Sequence, residues 1–299
     1  MNHQESAPAE SVGSLAVVTV TFGRDLDMCR ALVRSSEAAF TRDVTHYLFV
    51  DHRDIDLFKT LASDRVVVAD VNDLLPRTLR KWRGALGWRW IDRARPVPGW
   101  IVQQVAKLAA PSVVDASIIM HADSDVFFIR PVIAHDVSEH GKTVLWHEPS
   151  AIIDSMEGHV VWDRNAKAWL GLPAAPPPVN DYIAPLVVWD AEVARGALQR
   201  IESVCGGTWE RTIGTTRDVA EFLVYGNHAW TQRSVALAPR LGTACTTWWD
   251  HDAPVAGPVL DDWMATLSPA QCGVSLSAHA RWSTEQRETF IREHFPFAS

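Results

Sequence analysis

The chain has 299 residues, 47% of them hydrophobic and 21% charged, which is an ordinary composition for a globular protein that buries its own core. Its net charge of −8 argues against a nucleic-acid partner, because phosphate binding requires a basic face. Four cysteines at irregular spacing form neither a metal knuckle nor a disulfide scaffold. No apolar run is long enough to cross a membrane, and residues 1–14, a predicted disordered tail, contain no apolar signal segment. A cytoplasmic protein is therefore expected.

The chain first alternates between strand and helix patterns. Residues 15–22 are a short, strongly apolar run rich in β-branched residues, as in a strand buried on both faces, and residues 46–50 and 65–69 are predicted to be the second and third strands. Residues 26–40 and 54–62 have apolar positions at helical spacing. This β-α-β-α-β order predicts an α/β fold with a mainly parallel central sheet flanked by helices.

The alternation then stops and resumes. An Arg- and Trp-rich stretch, residues 73–98, is predicted to be a surface excursion or a flexible loop. A helix over 99–110 and a buried strand over 117–121 follow, and this strand leads directly into Asp123-Ser124-Asp125. The pattern weakens after about residue 140, where the predicted strands are 182–189 and 274–277 and the predicted helices are 192–204 and 218–230.

Acidic residues follow several of the predicted strands. Asp51 and Asp70 end the second and third strands, and Asp123 and Asp125 follow the fourth. Ligands of open α/β sheets bind at the carboxyl ends of the strands. Two carboxylates that are two positions apart can both face a hard divalent cation, such as Mn²⁺ or Mg²⁺, which then shares its remaining positions with substrate phosphates. The triplet alone is a weak motif, but its place between two buried runs favours a metal site over a solvated turn.

Three segments together resemble the GT-A-fold glycosyltransferases. They are the first strand with its end, Val18–Phe22 in the sequence VTVTF, the helix segment with Gln103, Gln104 and Lys107-Leu108, and the segment HADSDVFF that begins at His121. The resemblance covers residues 15–135. Within the GT-A class, these segments are most similar to a little-characterised bacterial group. It implies a nucleoside-diphosphate-sugar donor bound by 15–135 and an acceptor, a small molecule or a glycan, bound by 136–299 of the same domain. The residues that it implies for donor and metal binding are Thr21, Phe22, Asp51, Gln104, Lys107, Ser124, Asp123 and Asp125.

Several of these residues also have ordinary structural interpretations. Lys107 either extends along its helix to solvent or pairs with the diphosphate, and Gln104, one turn earlier, can face the same side. Asp51 either caps the next turn or accepts a hydrogen bond from the nucleotide.

Members of the GT-A class often complete the metal site with a histidine near the C-terminus. His279, after a short apolar run, is the first candidate for this ligand, and His251, in a polar loop, is the second. For a catalytic carboxylate at the acceptor, Glu221 near the start of a predicted helix is the first candidate and Asp181 is the second. Glu221 has the alternative role of a favourable charge at a helix N-terminus.

The sequence thus predicts a metal-dependent glycosyltransferase. A metal-dependent hydrolase or phosphoesterase, and a catalytically silent nucleotide-sugar binder, are the alternatives. A dinucleotide oxidoreductase is disfavoured because a single glycine, Gly23, follows the first strand. The chain also holds 14 tryptophans, and an indole is a flat platform for a base or a sugar ring, so this count permits either ligand.

Overall fold

The computed structural model describes residues 13–84, 87–92, 95–214, 216–248, 257–280 and 282–298, so nearly all of the expected N-terminal tail lies outside it. The strands are β1 Leu15–Thr21, β2 Thr45–Val50, β3 Val66–Asp70, β4 Leu79–Gly84, β5 Gly87–Asp92, β6 Arg95–Val97, β7 Ile118–Ala122, β8 Val126–Phe128, β9 Ser138–Glu139, β10 Lys142–Ile152, β11 Val179–Asp181, β12 Leu186–Asp190, β13 Leu237–Leu241, β14 Cys245–Trp248 and β15 Gly273–Leu276. The α-helices are α1 Leu26–Ala39, α2 Ile55–Phe58, α3 Gly99–Ala109, α4 Ala134–Val137, α5 Glu157–Leu170, α6 Ala191–Cys205, α7 Trp209–Gly214, α8 Glu221–Gln232, α9 Gly257–Met264 and α10 Thr284–His294.

A five-stranded sheet in the order β12-β7-β1-β2-β3 runs through the centre of the molecule. Strands β7, β1, β2 and β3 are parallel, and β12 is antiparallel to β7. Side chains of β1 alternate between two cores: Val18 packs with α3 and α8 on one face, and Val17 packs with Leu32 of α1 on the other. The predicted mixed, mainly parallel α/β fold is confirmed.

The order of these strands creates a topological switch point. From β1 the chain proceeds outward to β2 and β3, and it then returns to place β7 on the opposite side of β1. Crevices at the carboxyl ends of such neighbouring strands are the usual ligand sites of open α/β sheets. The residues that follow β1 and β7 therefore meet where a ligand is expected.

Residues 73–98, predicted to be a surface excursion or a flexible loop, contain a small sheet. Strands β4, β5 and β6 form an antiparallel three-stranded sheet of their own. The Trp-rich composition carries β propensity, and Gly84 pairs with Gly87 where β4 turns into β5. The charged residues of this stretch concealed the pattern, because one face of a small sheet can remain polar.

The second half of the chain adds two further sheets and several helices. The long strand β10 joins β9, β11 and β13, and β15 pairs with β14 and β8. Pairing between β15 and β8 fastens a late segment of the chain beside the Asp-Ser-Asp triplet. No helix among the described residues is long and apolar enough to cross a membrane.

Candidate functional site

A cleft of about 1430 Å³ opens at the carboxyl ends of β1 and β7. Its walls come from the segment after β1, one face of α3, the Asp-Ser-Asp triplet, the start of α8, and the loop between β15 and α10. Of the donor and metal residues expected from the sequence, the cleft is lined by Phe22, Gln104, Lys107, Asp123, Ser124, Asp125 and His279.

The Asp-Ser-Asp triplet is a tight connection between β7 and β8. The Asp123 N–H donates to the carbonyl oxygen of Pro185 at 2.8 Å, and the Val126 N–H donates to the Asp123 carbonyl oxygen at 3.1 Å. Asp125 Oδ2 accepts from the Ala278 N–H at 2.8 Å, and Asp125 Oδ1 accepts from Ser275 Oγ at 3.2 Å. The turn therefore has a fixed backbone, and the late segment around residues 275–278 orients its second carboxylate.

Burial and the neighbouring charge of Asp123 raise the pKa of Asp125 to about 6. The two carboxylates repel each other, and a divalent cation between or beside them would relieve that repulsion. Carboxylate oxygens are also the ligands that Mn²⁺ and Mg²⁺ prefer. The pair thus fits a divalent cation that takes its other ligands from a substrate.

Lys107 lies beneath the triplet in a buried ion-pair network. Its Nζ donates to Asp123 Oδ1 at 2.6 Å and lies 3.0 Å from Glu221 Oε1, and it also lies 4.5 Å from the centre of the Phe222 ring. Burial disfavours the ammonium, but the charges of Asp123 and Glu221 outweigh this effect and raise the Lys107 pKa. Lys107 is therefore a permanently charged cation in the wall of the cleft.

Glu221 is almost completely buried at the first position of α8, with 3% of its surface exposed. Burial raises its pKa, and the adjacent Lys107 charge opposes that effect. Its carboxylate lies 3.0 Å from Lys107 Nζ. The structure thus places Glu221 in the lining of the cleft, as the partner of Lys107.

The residues expected around the nucleotide separate into two groups. Phe22 lines the cleft, whereas Thr21 and Asp51 are buried behind its wall. Asp51 Oδ1 accepts two hydrogen bonds from Arg53, one from its backbone N–H at 3.1 Å and one from its side-chain Nε at 2.9 Å. Asp51 Oδ2 accepts from Lys81 Nζ at 2.5 Å. Burial opposes ionisation of Asp51, but these donors outweigh it and lower its pKa. Arg53 and Lys81 line the cleft in its place.

Gln104 lies on α3 one turn from Lys107 and lines the cleft. Its Oε1 is buried and has no hydrogen-bond partner within the described part of the chain. A buried acceptor without a donor is costly, so an N–H or O–H group of a ligand would stabilise it. The neighbouring Gln103 instead donates to the carbonyl oxygen of Val20 at 3.3 Å and ties α3 to β1.

His279, the histidine predicted as a metal ligand near the C-terminus, lines the cleft. It follows Ala278, whose backbone N–H donates to Asp125. Within the described ranges, no three His, Cys, Asp or Glu side chains are close enough to one another to hold a metal by themselves. The rival candidate His251 lies outside the described residues.

Asp181, the second candidate for a catalytic carboxylate, ends β11 and is buried beside the cleft. Its Oδ1 accepts from the backbone N–H groups of Tyr182 at 2.7 Å and Ile183 at 2.9 Å, and its Oδ2 lies 3.7 Å from His159 Nδ1. Ile183 lines the cleft, whereas Asp181 itself lies behind the surface. The structure does not bring Asp181 into contact with Asp123 or Glu221.

One residue of the site carried no sequence signal. Arg287 of α10 lines the cleft and donates through its guanidinium to the carbonyl oxygens of Leu276, Ser277 at 2.8 Å and Ala280 at 3.3 Å. It thereby fixes the loop that contains Ala278 and His279. A single arginine in an amphipathic helix has no distinguishing spacing, so only the structure identifies it.

The fold is shared with a known glycosyltransferase. A structure titled as the bifunctional glycosyltransferase WbbM in its apo form is 12% identical, with a TM-score of 0.52, and the match covers 98% of this chain and 52% of that one. Two structures of LgtC also match. The first is an active-site mutant, with 11% identity and a TM-score of 0.49. The second is the galactosyltransferase in complex with donor and acceptor sugar analogues, with 10% identity and a TM-score of 0.46. They cover 93% and 95% of this chain, and 95% of the LgtC chain in both cases. The resemblance to the GT-A fold is thus confirmed.

The chain belongs to a protein family described as a family of unknown function, DUF6492, whose model matches residues 15–264. No curated protein matches the sequence significantly.

Proposed function

We propose that the protein is a metal-dependent glycosyltransferase that moves a sugar from a nucleoside diphosphate to a hydroxyl group of an acceptor. The observation that carries this proposal is the Asp-Ser-Asp turn beside Lys107, in a cleft at the switch point between β1 and β7. The glycosyltransferase fold along nearly the whole chain supports it.

The residues divide between binding and orientation. Asp123 and Asp125 would hold Mn²⁺ or Mg²⁺, which neutralises the charge on a leaving diphosphate, and His279 is the candidate for a further ligand. Ser124, Phe22, Arg53 and Lys81 line the donor side of the cleft.

Lys107 and Glu221 act as a pair in this proposal. Glu221 is held at 3.0 Å from Lys107 Nζ, so it orients the ammonium and keeps it charged beside Asp123. A carboxylate in this position is not available as a base for the acceptor hydroxyl. The Gln104 amide oxygen, which lacks a partner within the described residues, would accept a hydrogen bond from a hydroxyl group of the donor sugar.

The first experiment measures the melting temperature of the protein with UDP, GDP and dTDP, each with and without Mn²⁺. A ligand that binds only the folded state stabilises it by mass action, by about 2.7 kcal/mol at a hundredfold excess over its Kd, and this raises the melting temperature. We expect one nucleotide to stabilise the protein only when Mn²⁺ is present. Asp125→Asn should abolish this effect.

Asp115→Asn is the matched control, because Asp115 is exposed and does not line the cleft. It should retain the full shift. If no nucleotide stabilises the wild-type protein with or without Mn²⁺, the proposal is wrong. Slow release of free sugar from the matching nucleotide sugar, dependent on Mn²⁺ and lost in Asp125→Asn, would establish the chemistry.

A further inference from the structure

One wall of the cleft contains an aromatic cluster to which the proposed function assigns no donor or metal contact. It consists of Trp100 at the start of α3, Trp162 on α5 and His159 on the same helix. The ring centres of Trp100 and Trp162 are 6.3 Å apart, and the His159 ring stacks on Trp162 at 5.0 Å with an interplanar angle of 26°. Both tryptophans line the cleft.

Trp100 is a large apolar side chain with 42% of its surface exposed. Its neighbour Trp162 is only partly buried and packs against the main core. Exposed aromatic surface inside a concave site, rather than scattered on the outside, marks a position where a ligand covers it.

The cluster lies on a line with the donor-binding residues. Trp100, Gln104 and Lys107 are at positions i, i+4 and i+7 of α3, so they share one face of the helix. At 1.5 Å per residue, Trp100 is about 10 Å along the helix from Lys107, which contacts Asp123. A distance of about 10 Å leaves space for a transferred sugar beside Gln104 and for a second ring over the tryptophans.

Polar groups complete the cluster. His159 Nδ1 lies 3.7 Å from Asp181 Oδ2, and Asp181 is fixed because its Oδ1 accepts two backbone N–H groups. A sugar ring has an apolar C–H face and a rim of hydroxyl groups. The tryptophan faces, which line the cleft, match the first. His159 and Asp181 lie behind the cleft surface, where His159 stacks on Trp162 and Asp181 lies beside His159.

We propose that Trp100 and Trp162 form the acceptor subsite and that the acceptor is a carbohydrate, bound by stacking of a pyranose ring on these indoles. This inference rests on the proposed function, since it names the acceptor of the same cleft. The competing occupant of an aromatic platform is the nucleobase of the donor. Trp162 is carried by α5, which packs with α6 and α8, whereas the proposed donor-side residues Phe22, Arg53 and Lys81 respectively follow β1, follow β2 and lie on β4.

The test uses the full chain and saturation-transfer NMR with four probes, lactose, cellobiose, maltose and chitobiose, in the presence of Mn²⁺ and UDP, GDP or dTDP. At least one disaccharide should show ring-proton contacts. Trp100→Ala should weaken its affinity roughly 5- to 10-fold, and Trp100→Phe should retain most of it. Trp82→Ala is the matched control, because Trp82 is 58% exposed on β4 and does not line the cleft, and it should bind as the wild type does.

The nucleotide-induced rise in melting temperature is measured on every variant and should be unchanged in Trp100→Ala. If Trp100→Ala loses that rise, the platform stacks the base and the inference is overturned. It is also overturned if none of the four disaccharides binds, or if Trp100→Ala binds them as tightly as the wild type. Absence of any nucleotide effect on the wild-type protein is a separate result that rejects the proposed donor instead.

Discussion

At the scale of single residues, the site is organised around one buried cation. Lys107 is 6% exposed and is shared between two carboxylates of the cleft wall, the partly exposed Asp123 and the almost completely buried Glu221. A charge removed from water is stable only where its partners are fixed, and the first turn of α8 fixes Glu221. The position of Asp123 is therefore determined by α3 and α8 as well as by its own turn.

We expect Lys107→Met to destabilise the protein by about 3–5 kcal/mol, because it leaves the Glu221 carboxylate buried without a counter-charge. The double variant Lys107→Met/Glu221→Gln should recover about 1–3 kcal/mol of that loss, since the unpaired charge is then gone. Urea unfolding followed by circular dichroism measures both values. Lys59→Met, at an exposed ion pair with Asp56, is the control and should unfold with the wild type. Equal stabilities of the single and double variants would show that the two residues are not coupled.

Sequence patterns located part of this network and missed the rest. Lys107 and Gln104 were implied by the resemblance to the GT-A class, and helical spacing added that both can face the same side. The Asp123–Asp125 pair was predicted from its place after a strand. The contact between Lys107 and Glu221 joins residues 114 positions apart, which no local pattern reveals. Asp51 was predicted at the correct strand end, but its ion pair with Lys81 depends on strand β4, in a stretch predicted to be a surface excursion or a flexible loop.

At the scale of secondary-structure elements, the end of the chain completes the cleft. Strand β15 pairs with β8, and the loop that follows gives its Ala278 N–H to Asp125. Helix α10 fixes this loop through Arg287. These elements lie beyond residues 15–264, the part matched by the family model, so the site depends on more of the chain than that match covers.

Arg287→Lys should weaken Mn²⁺ binding in the presence of nucleotide about 10-fold, the scale of effect found for residues that orient metal ligands. A lysine cannot replace the planar guanidinium that holds three carbonyl oxygens at once. Electron paramagnetic resonance of free Mn²⁺ gives the affinity without a turnover assay. Arg292→Lys on the same helix is the control, since Arg292 is exposed and contacts only Thr289 among the described residues. If both variants bind Mn²⁺ as the wild type does, Arg287 has no part in orienting the metal site.

The elements before residue 130 were easier to predict than those after it. Strands β1 and β7 are buried on both faces, and β2 and the edge strand β3 are partly buried, so all four have continuous apolar runs between polar turns. Strand β10 extends over eleven residues, but it contains Pro149 and both exposed and buried stretches, which conceals its pattern. Helix α5 has mixed faces because it packs on the core and also lines the cleft.

At the scale of the whole molecule, a buried polar network joins the elements beneath the site. His46 of β2 lies 2.9 Å from Thr19 Oγ1 of β1 and 3.0 Å from Ser36 Oγ of α1, and Thr19 donates onward to the carbonyl oxygen of Ala122 at the end of β7. Burial lowers the pKa of His46 to about 3. Three strands and a helix therefore depend on one imidazole that remains neutral.

This network predicts how global stability depends on pH. In the unfolded chain His46 titrates near its ordinary pKa of about 6.5, whereas in the folded state it stays neutral down to about 3, so the unfolded state binds more protons between these values. Stability from this residue is therefore complete above about pH 6.5 and is lost as the pH falls toward 3, by about 2 kcal/mol between pH 7 and pH 5.

His46→Gln keeps hydrogen-bonding groups but cannot titrate, so its free energy of unfolding in urea should fall less steeply over that interval. His52→Gln, at a side chain that is 76% exposed, should retain the wild-type slope. If His46→Gln has the same pH slope as the wild type, buried His46 is not the residue that couples acid to unfolding.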